Sequence, residues 1–382
     1  MEEGLGFHIE PCGTSRRMKR LCRAVRERFA EIASAQWRPA PDFIVENSNF
    51  SLYGELLSTS PIIIQAFCPM FRLPLGVASV VGPILGKIPA HIIIMLSWTI
   101  EPPGHCARLA RIATSYLKDH PTHKLTFLCN TVRETELMIA QRHTALTINA
   151  NCLVDDTVYR PKPEIETIYD AVYNACLHAY KRHDLAVEIE KLALIYYVNR
   201  SSRLDFRTER ARLGALMPKA RFVNDLDSGD WRRISGREVN DVLAQSRVGL
   251  CLSAAEGAMR ASIEYLLAGL SVVSTPSLGG RNYFFDDEFC IMAEPDPRSI
   301  RDAVEALIAR NIPREYVRSR TLARVQVERR RYINLVQEMI DREGGATQFA
   351  NFFWECTRGP TIMHWISAKE FSDRIARLAS GS

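Results

Sequence analysis

Short apolar runs recur along the chain between segments of helical pattern, and they form two series. The first series contains PIIIQAF around Ile63, HIIIMLSW around Ile93, KLTFLC around Phe127 and ALTI around Leu146. The second series follows the charged, proline-containing stretch Asp155–Glu164 and consists of IYDAVYNA, LALIYYV, ARFV, VGLCLS, SVVST and FCIMA. Runs that are apolar throughout, rather than alternating, are typical of parallel strands buried on both faces. Each series therefore predicts a parallel sheet covered by helices.

The two series predict two domains, with Asp155–Glu164 as the linker between them. Each would be a doubly wound α/β domain, because strands alternate with helical segments. We expect an N-terminal domain over residues 1–160, a second domain over 161–335, and terminal helices over 336–382. These helices would return toward the N-terminal domain, since the aromatic residues in NFFWEC and IMHWISAKEFSDRIARL need a surface to contact. A chain of 382 residues also exceeds the roughly 250–300 residues at which a single core stops growing.

Composition places the chain among ordinary globular proteins, with 47% apolar and 24% charged residues. The ten cysteines include no C-x-x-C pair, and no segment resembles a secretory signal, so we expect reduced thiols and a cytoplasmic location. The longest apolar region, Leu73–Gly86, contains glycine and proline and is shorter than the roughly 20 residues that span a bilayer. No transmembrane segment is predicted.

The net charge of +5 is unevenly spread along the chain. Arginines cluster in two helical patterns, Ser15–Phe29 and Arg318–Tyr332. These helices would either lie on anionic lipid headgroups or another polyanion, giving a peripheral membrane contact, or present a solvated face, which is the more common arrangement. The sequence lacks a nucleic-acid-binding motif and aromatic residues spaced as a stacking platform. We therefore expect no nucleic-acid partner.

The segment Ser253–Gly280, SAAEGAMRASIEYLLAGLSVVSTPSLGG, carries the most specific chemistry in the sequence. Upstream of it, a capping box at Ser235 and Glu238 predicts a helix, and a buried strand follows that ends just before AAEG. Glu256 would then lie at the carboxyl edge of the sheet, where open α/β folds bind ligands. We expect a helix from about Gly257, whose free N–H groups suit an anion or a hydroxyl-rich ligand.

A second glutamate, Glu264, would lie about two turns farther along that helix, roughly 12 Å away at about 1.5 Å per residue. Carboxylates this far apart cannot share a proton, but each suits hydroxyls at one end of a long ligand. The small residues at positions 257 and 258, and the loop glycines Gly279 and Gly280, would leave the backbone open to close approach. Gly269 is expected at the end of the helix. The spacing of the glutamates alone also arises by chance, with Glu264 then a plain helix-surface residue.

This segment resembles the E-x7-E region of the retaining GT-B glycosyltransferases of family 4. Two further stretches resemble that family in the same order. Asn149–Pro161 is similar to its segment near the domain junction, and Tyr173–Ile189 is similar to the first strand-to-helix loop of its donor domain. The resemblance extends from about Asn149 to Asp286. It implies the GT-B fold, an α/β fold in which two Rossmann-like domains with parallel sheets face each other across a cleft.

The resemblance also implies a function, that of a hexosyltransferase whose donor substrate is a UDP- or GDP-sugar and which needs no cofactor or metal. The N-terminal domain would hold a glycan or lipid-linked acceptor, and the second domain the donor. By this analogy Glu256 contacts hydroxyls of the transferred sugar, Glu264 holds the nucleotide ribose, and Lys181 neutralises the diphosphate. Sugar or phosphate would also contact the backbone of Gly257, Ala258 and Met259. Retention is usually explained in this family by front-face attack, in which the leaving phosphate oxygen takes the acceptor's proton.

One departure from the family pattern bears on activity. The family has an arginine five residues before its lysine, and here that position is Cys176, which has no permanent charge. His178, Arg182 and His183 lie nearby in sequence and would compensate if they reach the phosphate; otherwise they are loop or helix-surface residues. The alternative function is therefore a GT-B protein that senses nucleotide sugars or assists assembly without turnover.

On the acceptor side, SWTIEPPGHCARLAR follows a strand and leads into a helix. It places Glu101, Gly104 and His105 at a second sheet edge, where they would bind the acceptor, although the prolines and glycine also suit a structural turn. FLCNTVRETELM similarly places Asn130 and Glu134 at a strand-to-helix junction, where a polar residue would also serve simply to cap the helix.

Overall fold

The computed structural model describes residues 36–40, 51–68, 75–197, 205–228, 230–356 and 365–381. Within these ranges the chain forms two six-stranded sheets, the first built mainly from residues 51–147 and the second from residues 169–292. We refer to the two sheets with their helices as the first and second units. The arginine-rich stretch Ser15–Phe29 lies outside the described residues, so the prediction of a basic helix there stays a prediction.

The first sheet contains five consecutive strands and one strand from near the C-terminus. These are β1 (Ser51–Thr59), β2 (Ile62–Cys68), β3 (Ala90–Leu96), β4 (His123–Cys129), β5 (Thr144–Thr147) and β12 (Trp365–Ser367). Their order across the sheet is β12-β1-β2-β3-β4-β5. Strands β2 to β5 are parallel, whereas β1 runs antiparallel to both β2 and β12. The parallel strands are connected by helices α1 (Ala78–Leu85), α2 (His105–Asp119) and α3 (Val132–Ala140).

The central strands of this sheet are buried on both faces, as their continuous apolar sequences predict. Every residue of β3 is buried. The sequence pattern does not predict β1, because SLYGELLST mixes polar and apolar positions. Its Glu55 is buried and accepts a hydrogen bond from Arg374 near the C-terminus at 3.3 Å. The polar position in this strand is therefore satisfied by a distant part of the chain, which local sequence does not reveal.

The second sheet is parallel throughout. Its strands are β6 (Tyr169–Asn174), β7 (Leu192–Ile195), β8 (Arg221–Phe222), β9 (Ser246–Cys251), β10 (Ser271–Ser274) and β11 (Cys290–Met292). Their order is β11-β10-β9-β6-β7-β8. The unit also contains helices α4 (Phe206–Leu216), α5 (Gly236–Ala244), α6 (Arg260–Leu267) and α7 (Pro297–Arg310). The capping box predicted at Ser235 and Glu238 is present at the start of α5.

One long helix, α8 (Arg314–Arg342), carries the chain from the second unit back to the first. Near its end, the Tyr332 hydroxyl donates a hydrogen bond to Gln65 of β2 at 3.0 Å. Just after the helix, the carboxylate of Glu343 contacts His91 of β3 at 3.0 Å. A domain boundary between residues 335 and 336 would fall inside this continuous helix. The two units are therefore joined by a rigid element as well as by the linker.

The chain after α8 lies on the first unit. It forms helices α9 (Phe349–Cys356) and α10 (Ala368–Ser380), and β12 between them pairs with β1. Phe371 and Ile375 of α10 are fully buried in the core of the first unit. The tail thus contributes a strand to the first sheet in addition to the helices that its sequence predicts.

Several arginines of α8 bind carbonyl groups inside the protein. Arg318 donates to the carbonyls of Asp156 and Leu267, Arg324 to those of Tyr283, Phe284 and Phe285, and Arg329 to those of Cys152 and Val154. Arg329 also forms an ion pair with Asp156 at 2.7 Å. These three side chains hold the linker and the second unit against α8, and we refer to their contacts as the α8 clasp. For this helix the sequence pattern predicts instead a solvated or lipid-facing surface. None of the described helices is long and apolar enough to cross a membrane.

Candidate active site

The centre of the candidate site is a buried contact between Lys181 and Glu256 at the carboxyl edge of the second sheet. The Lys181 ammonium donates to Oε1 of Glu256, and the Ser253 hydroxyl donates to the same oxygen at 2.6 Å. The lysine and glutamate side chains are only 5% and 6% exposed. Burial makes such a pair sensitive to the loss of either partner, because the remaining charge would be left desolvated. The structure thus brings together the two residues that the sequence analysis singled out as catalytic.

The segment between Glu256 and α6 differs from its prediction. The helix begins at Arg260, not near Gly257, while Glu256 lies before the helix as predicted. The reason is that residues 254–256 pair with Leu278: Glu256 donates from its amide to the Leu278 carbonyl at 3.0 Å, and Leu278 donates to the Ala254 carbonyl at 3.0 Å. The chain can enter the helix only after a turn at Met259, which has a left-handed φ of 46°.

Glu264 is buried on α6 at the other end of the site. Its carboxylate accepts a hydrogen bond from the Asn174 amide at 3.4 Å and interacts with the Tyr159 hydroxyl. Burial raises the pKa of Glu264, opposed mainly by the nearby charge of Arg260. It is therefore not the helix-surface residue of the alternative interpretation. The helix ends at Leu267 with Ala268 as its C-cap, and Gly269 follows with φ of 80°, as predicted.

Cys176 occupies the position at which the family resemblance implies an arginine, and it belongs to a cluster of side chains without positive charge. Cys176 is buried, and its sulfur lies 3.4 Å from the Tyr180 hydroxyl. The Tyr197 hydroxyl also interacts with this thiol. Burial raises the pKa of the Tyr180 phenol, and the negative charge of Glu256 raises it further. None of these three side chains can supply the positive charge of an arginine.

Both histidines considered as replacements for that arginine make structural contacts. His178 accepts a hydrogen bond from the Tyr180 amide at 3.5 Å and so caps the short turn at residues 179–181. His183 is buried against Tyr173, with ring centroids 5.0 Å apart. Burial, and then the charge of Lys181, lowers the pKa of His183 to about 4, so it is neutral at pH 7.

The remaining candidate, Arg182, binds the main chain. Its guanidinium donates to the Leu252 carbonyl and to the Thr275 hydroxyl, at the ends of β9 and β10. Arg281, which the sequence analysis did not single out, lies at the same two strand ends and is only 1% exposed. It donates to the Ser253 carbonyl at 2.6 Å and to the Ser274 hydroxyl at 2.8 Å. Two guanidinium groups therefore lie behind Lys181 and Glu256.

The first unit covers this edge of the second sheet. A Cβ atom at Gly257 would lie 2.3 Å from the Ser97 carbonyl oxygen, so the two backbones are in direct contact. The adjacent Trp98 ring packs edge-on against Tyr180, with centroids 5.3 Å apart. The backbone at residues 257 and 258, predicted to be uncovered, is thus buried by the loop after β3. The absence of a side chain permits this contact between the units.

Similar contacts explain the other predicted backbone positions. The Asn151 amide donates to the carbonyls of Ala258 at 2.6 Å and Met259 at 3.3 Å. A Cβ atom at Gly280 would lie 2.3 Å from the Asn130 Cβ, and one at Gly279 would lie 1.9 Å from the Glu256 carbonyl oxygen. The predicted run of exposed backbone in this loop is therefore wrong for Gly280, which is buried between the two units.

Comparison with known proteins gives the architecture a name. No family model matches the chain, and no curated protein sequence matches it. Among solved structures, Anabaena HepE in complex with UDP superimposes with a TM-score of 0.50 at 12% identity, over 72% of this chain and 78% of that one. The chain has the GT-B fold.

Other structural neighbours are also glycosyltransferases with this fold. A UDP-forming α,α-trehalose-phosphate synthase from Burkholderia vietnamiensis has a TM-score of 0.48 at 12% identity, over 72% of this chain and 74% of that one. Sucrose-phosphate synthase from Thermosynechococcus elongatus has a TM-score of 0.43 at 11% identity, over 69% of this chain and 94% of that one.

In this GT-B fold, the loop after β3 forms the side of the first unit that faces the second. Glu101 accepts hydrogen bonds from the Thr131 hydroxyl at 2.7 Å and, across the units, from the Gly279 amide at 3.2 Å. Gly104 adopts a left-handed φ of 84° immediately before α2, and His105 is the first residue of that helix. The structure therefore brings Glu101 to the loop that contains Gly279, while Gly104 has the structural role that its turn requires.

The second acceptor-side candidate is structural. Glu134 is fully buried and accepts hydrogen bonds from the amides of Asn130 at 2.8 Å and Ile100 at 3.3 Å. Burial raises its pKa to about 7. The cap of α3 is Thr131, whose hydroxyl accepts from the Glu134 amide at 3.0 Å. These contacts hold together the loops after β3 and β4, which shape the face of the first unit.

Proposed function

We propose that this protein is a retaining glycosyltransferase of the family 4 type, which moves a hexose from a UDP- or GDP-sugar to a glycan or lipid-linked acceptor. The single observation that carries the proposal is the buried contact of Lys181 with Glu256 at a sheet edge that the first unit covers. In this proposal residues 161–335 hold the donor and residues 1–160 hold the acceptor, in the cytoplasm, where sugar nucleotides are made.

Lys181 would stabilise the negative charge that develops on the departing nucleoside diphosphate. An ammonium group is suited to this because it is a compact point charge with three donors. Glu256 would orient the transferred sugar by accepting hydrogen bonds from its hydroxyls, with Ser253 fixing one carboxylate oxygen. The acceptor's proton would pass to the leaving phosphate oxygen, so the reaction needs no second carboxylate on the opposite face of the sugar.

The two ends of the donor would be held by different groups. Glu264 and Asn174, which are within hydrogen-bonding distance of each other, would accept and donate hydrogen bonds at the ribose hydroxyls. On the acceptor side, Glu101 lies on the loop that contacts the second unit, and His105 begins the helix that follows this loop. Closing of the first unit on the second would exclude water from the reacting atoms.

A nucleotide-sugar sensor without turnover is the second candidate. The observation that favours it is the cluster of Cys176, Tyr180 and Tyr197, without positive charge, at the position where the family has an arginine. With less positive charge near the diphosphate, the protein would bind the donor but stabilise the transition state too little for turnover. The two candidates differ in whether nucleotide is released.

The deciding experiment incubates the full chain with UDP- and GDP-sugars and a panel of sugar and lipid-linked acceptors, and measures nucleotide release. We expect release by the wild type and a loss of at least about a hundredfold in Glu256→Gln and Lys181→Met, the size typical of a lost charge-stabilising group. Glu136→Gln, an exposed carboxylate on α3, is the matched control. Donor binding without release would favour the sensor, and no binding of any donor would overturn both candidates.

A further inference from the structure

Arg281 connects the ends of two strands to the Lys181–Glu256 contact. Its guanidinium donates to the Ser253 carbonyl at 2.6 Å and, more weakly, to the Ser253 hydroxyl at 3.3 Å. That hydroxyl in turn donates to Glu256. The other nitrogens donate to the Ser274 hydroxyl, the Thr275 carbonyl and the Asn282 side-chain oxygen. The guanidinium is thus fixed by five groups, and all of them are uncharged.

The charges at this edge of the sheet do not balance. Among the described residues, neither Arg281 nor Arg182 has a carboxylate in ion-pair contact, because their hydrogen-bond partners are carbonyl and hydroxyl groups or a side-chain amide. Lys181 is paired with Glu256. Three positive groups therefore lie near one carboxylate; Lys181 and Arg281 are buried, and Arg182 is partly buried. An uncompensated buried charge is unfavourable unless an anion joins it.

We propose that Arg281 is a positioning residue, which holds Glu256 through Ser253 and gives the site the positive charge that a diphosphate ligand requires. Because the guanidinium is buried, it does not contact the ligand. It acts on the ligand through its electrostatic field and through its hydrogen bonds to Ser253. Position 176 carries no positive charge, and in this arrangement the Arg281 guanidinium at the ends of β9 and β10 supplies one instead. The inference deepens the proposed function and depends on it for the identity of the diphosphate as part of a sugar nucleotide.

The test uses inorganic pyrophosphate, which carries the charge of the ligand but neither base nor sugar. Calorimetry at constant ionic strength would compare the full-length wild type with Arg281→Gln. We expect pyrophosphate affinity to fall about tenfold or more, as loss of a unit charge several ångströms away implies at an effective dielectric constant of about 20. Arg281→Lys keeps the charge. The decrease in the logarithm of its affinity for pyrophosphate should therefore be less than half of the decrease in Arg281→Gln.

Arg314→Gln is the matched control. Arg314 is a half-buried arginine that also donates to carbonyl groups, those of Leu243, Ala244 and Ser246, but it lies at the opposite end of β9. It should leave pyrophosphate affinity unchanged. If Arg281→Gln does not fold, Arg182→Gln, at a less buried guanidinium, provides the same measurement with the same expected direction.

The outcomes separate this inference from the proposed function. In one outcome the wild type binds pyrophosphate and Arg281→Gln weakens that binding, while no sugar donor releases nucleotide. That result would contradict the proposed function and support the charged site. A wild type that does not bind pyrophosphate, or equal loss of affinity in the glutamine and lysine variants, would overturn the role of Arg281. Equal loss in Arg314→Gln would also overturn it, because the effect would then reflect general disturbance of the sheet.

Discussion

Lys181 and Glu256 are 75 positions apart in the sequence, yet the ammonium of one contacts the carboxylate of the other inside the protein. The lysine lies in a turn after β6, and the glutamate in the extended segment after β9. These two strands are neighbours in the sheet, so their carboxyl ends deliver both side chains to one place. The order of the strands therefore creates the pair, which neither segment forms alone.

Removal of one partner should destabilise the protein strongly. We expect Lys181→Met to lower the free energy of unfolding by about 3–5 kcal/mol, because Glu256 would remain as a buried unpaired charge. The double variant Lys181→Met/Glu256→Gln should regain much of that loss, since it removes both charges. Urea denaturation of the wild type, both single variants and the double variant measures the coupling as a cycle. Strictly additive losses would show that the two groups do not interact in solution.

Gly257 provides a test of the contact between the units. An alanine methyl there would lie 2.3 Å from the Ser97 carbonyl oxygen, a distance that forces the loop after β3 away from the second unit. We expect Gly257→Ala to retain both folded units but to reduce nucleotide release in the proposed reaction at least about tenfold, because small misplacements of reacting groups are costly. Nucleotide release and far-ultraviolet circular dichroism check the two parts of this prediction.

Gly214→Ala is the control for that substitution. Gly214 lies within α4, and the nearest atom to its added Cβ is Nη1 of Arg210, whose guanidinium also binds Asp225 and would have to shift. The higher helix propensity of alanine, worth about 1 kcal/mol, should offset part of the cost of that shift, and nucleotide release should be unchanged. Full activity in both alanine variants would show that the Ser97 contact is not needed for turnover.

The parallel strands of both sheets could be predicted from sequence, because burial on two faces requires continuous apolar runs, whereas the antiparallel β1 and the C-terminal β12 could not. Glu256 could be placed at a sheet edge for the same reason, since the preceding strand VGLCLS is clearly marked. The start of α6 could not be predicted. Its delay to Arg260 arises from pairing of residues 254–256 with Leu278, a contact of segments more than 20 positions apart.

The roles of the glycines and of Arg281 could not be predicted from the sequence either. A glycine permits close approach of any neighbour, so the pattern at Gly257 and Gly280 could not distinguish a ligand from the backbone of the other unit. Arginine is usually exposed, and the burial of Arg281 depends on carbonyl and hydroxyl partners at two strand ends. Such main-chain partners leave no signature in residue types.

The clasp formed by α8 should be important for stability. Arg329 binds the Cys152 and Val154 carbonyls and the Asp156 carboxylate, so Arg329→Met would leave buried acceptors without donors. We expect a loss of about 3 kcal/mol or more in the free energy of unfolding. Arg330→Met, at the next and exposed position of the same helix, should change stability by less than about 0.5 kcal/mol. Equal effects of the two variants in urea denaturation would rule out the clasp.

Acid should weaken the first unit through a buried histidine pair. The rings of His120 and His123 stack with centroids 5.0 Å apart, and the Tyr116 hydroxyl lies 2.7 Å from Nδ1 of His123. Burial, and then the proximity of His120, lowers the pKa of His123 to about 4. In the unfolded chain the imidazole would have its ordinary pKa of about 6.5. The stabilising contribution is therefore present above about pH 6.5 and is lost as the pH falls toward 4.

The loss attributable to His123 should approach about 3 kcal/mol at pH 4, because the unfolded chain takes up a proton there that the folded chain resists. His123→Asn should accordingly be less stable at pH 7 but show a flatter decline of unfolding free energy between pH 6.5 and 4. Urea denaturation at several pH values measures both slopes. Some decline should remain, since His183 of the second unit has its pKa lowered to about 4 as well, mainly by burial. An unchanged slope in His123→Asn would mean that the buried pair does not resist protonation, and the acid sensitivity of the first unit would then need another cause.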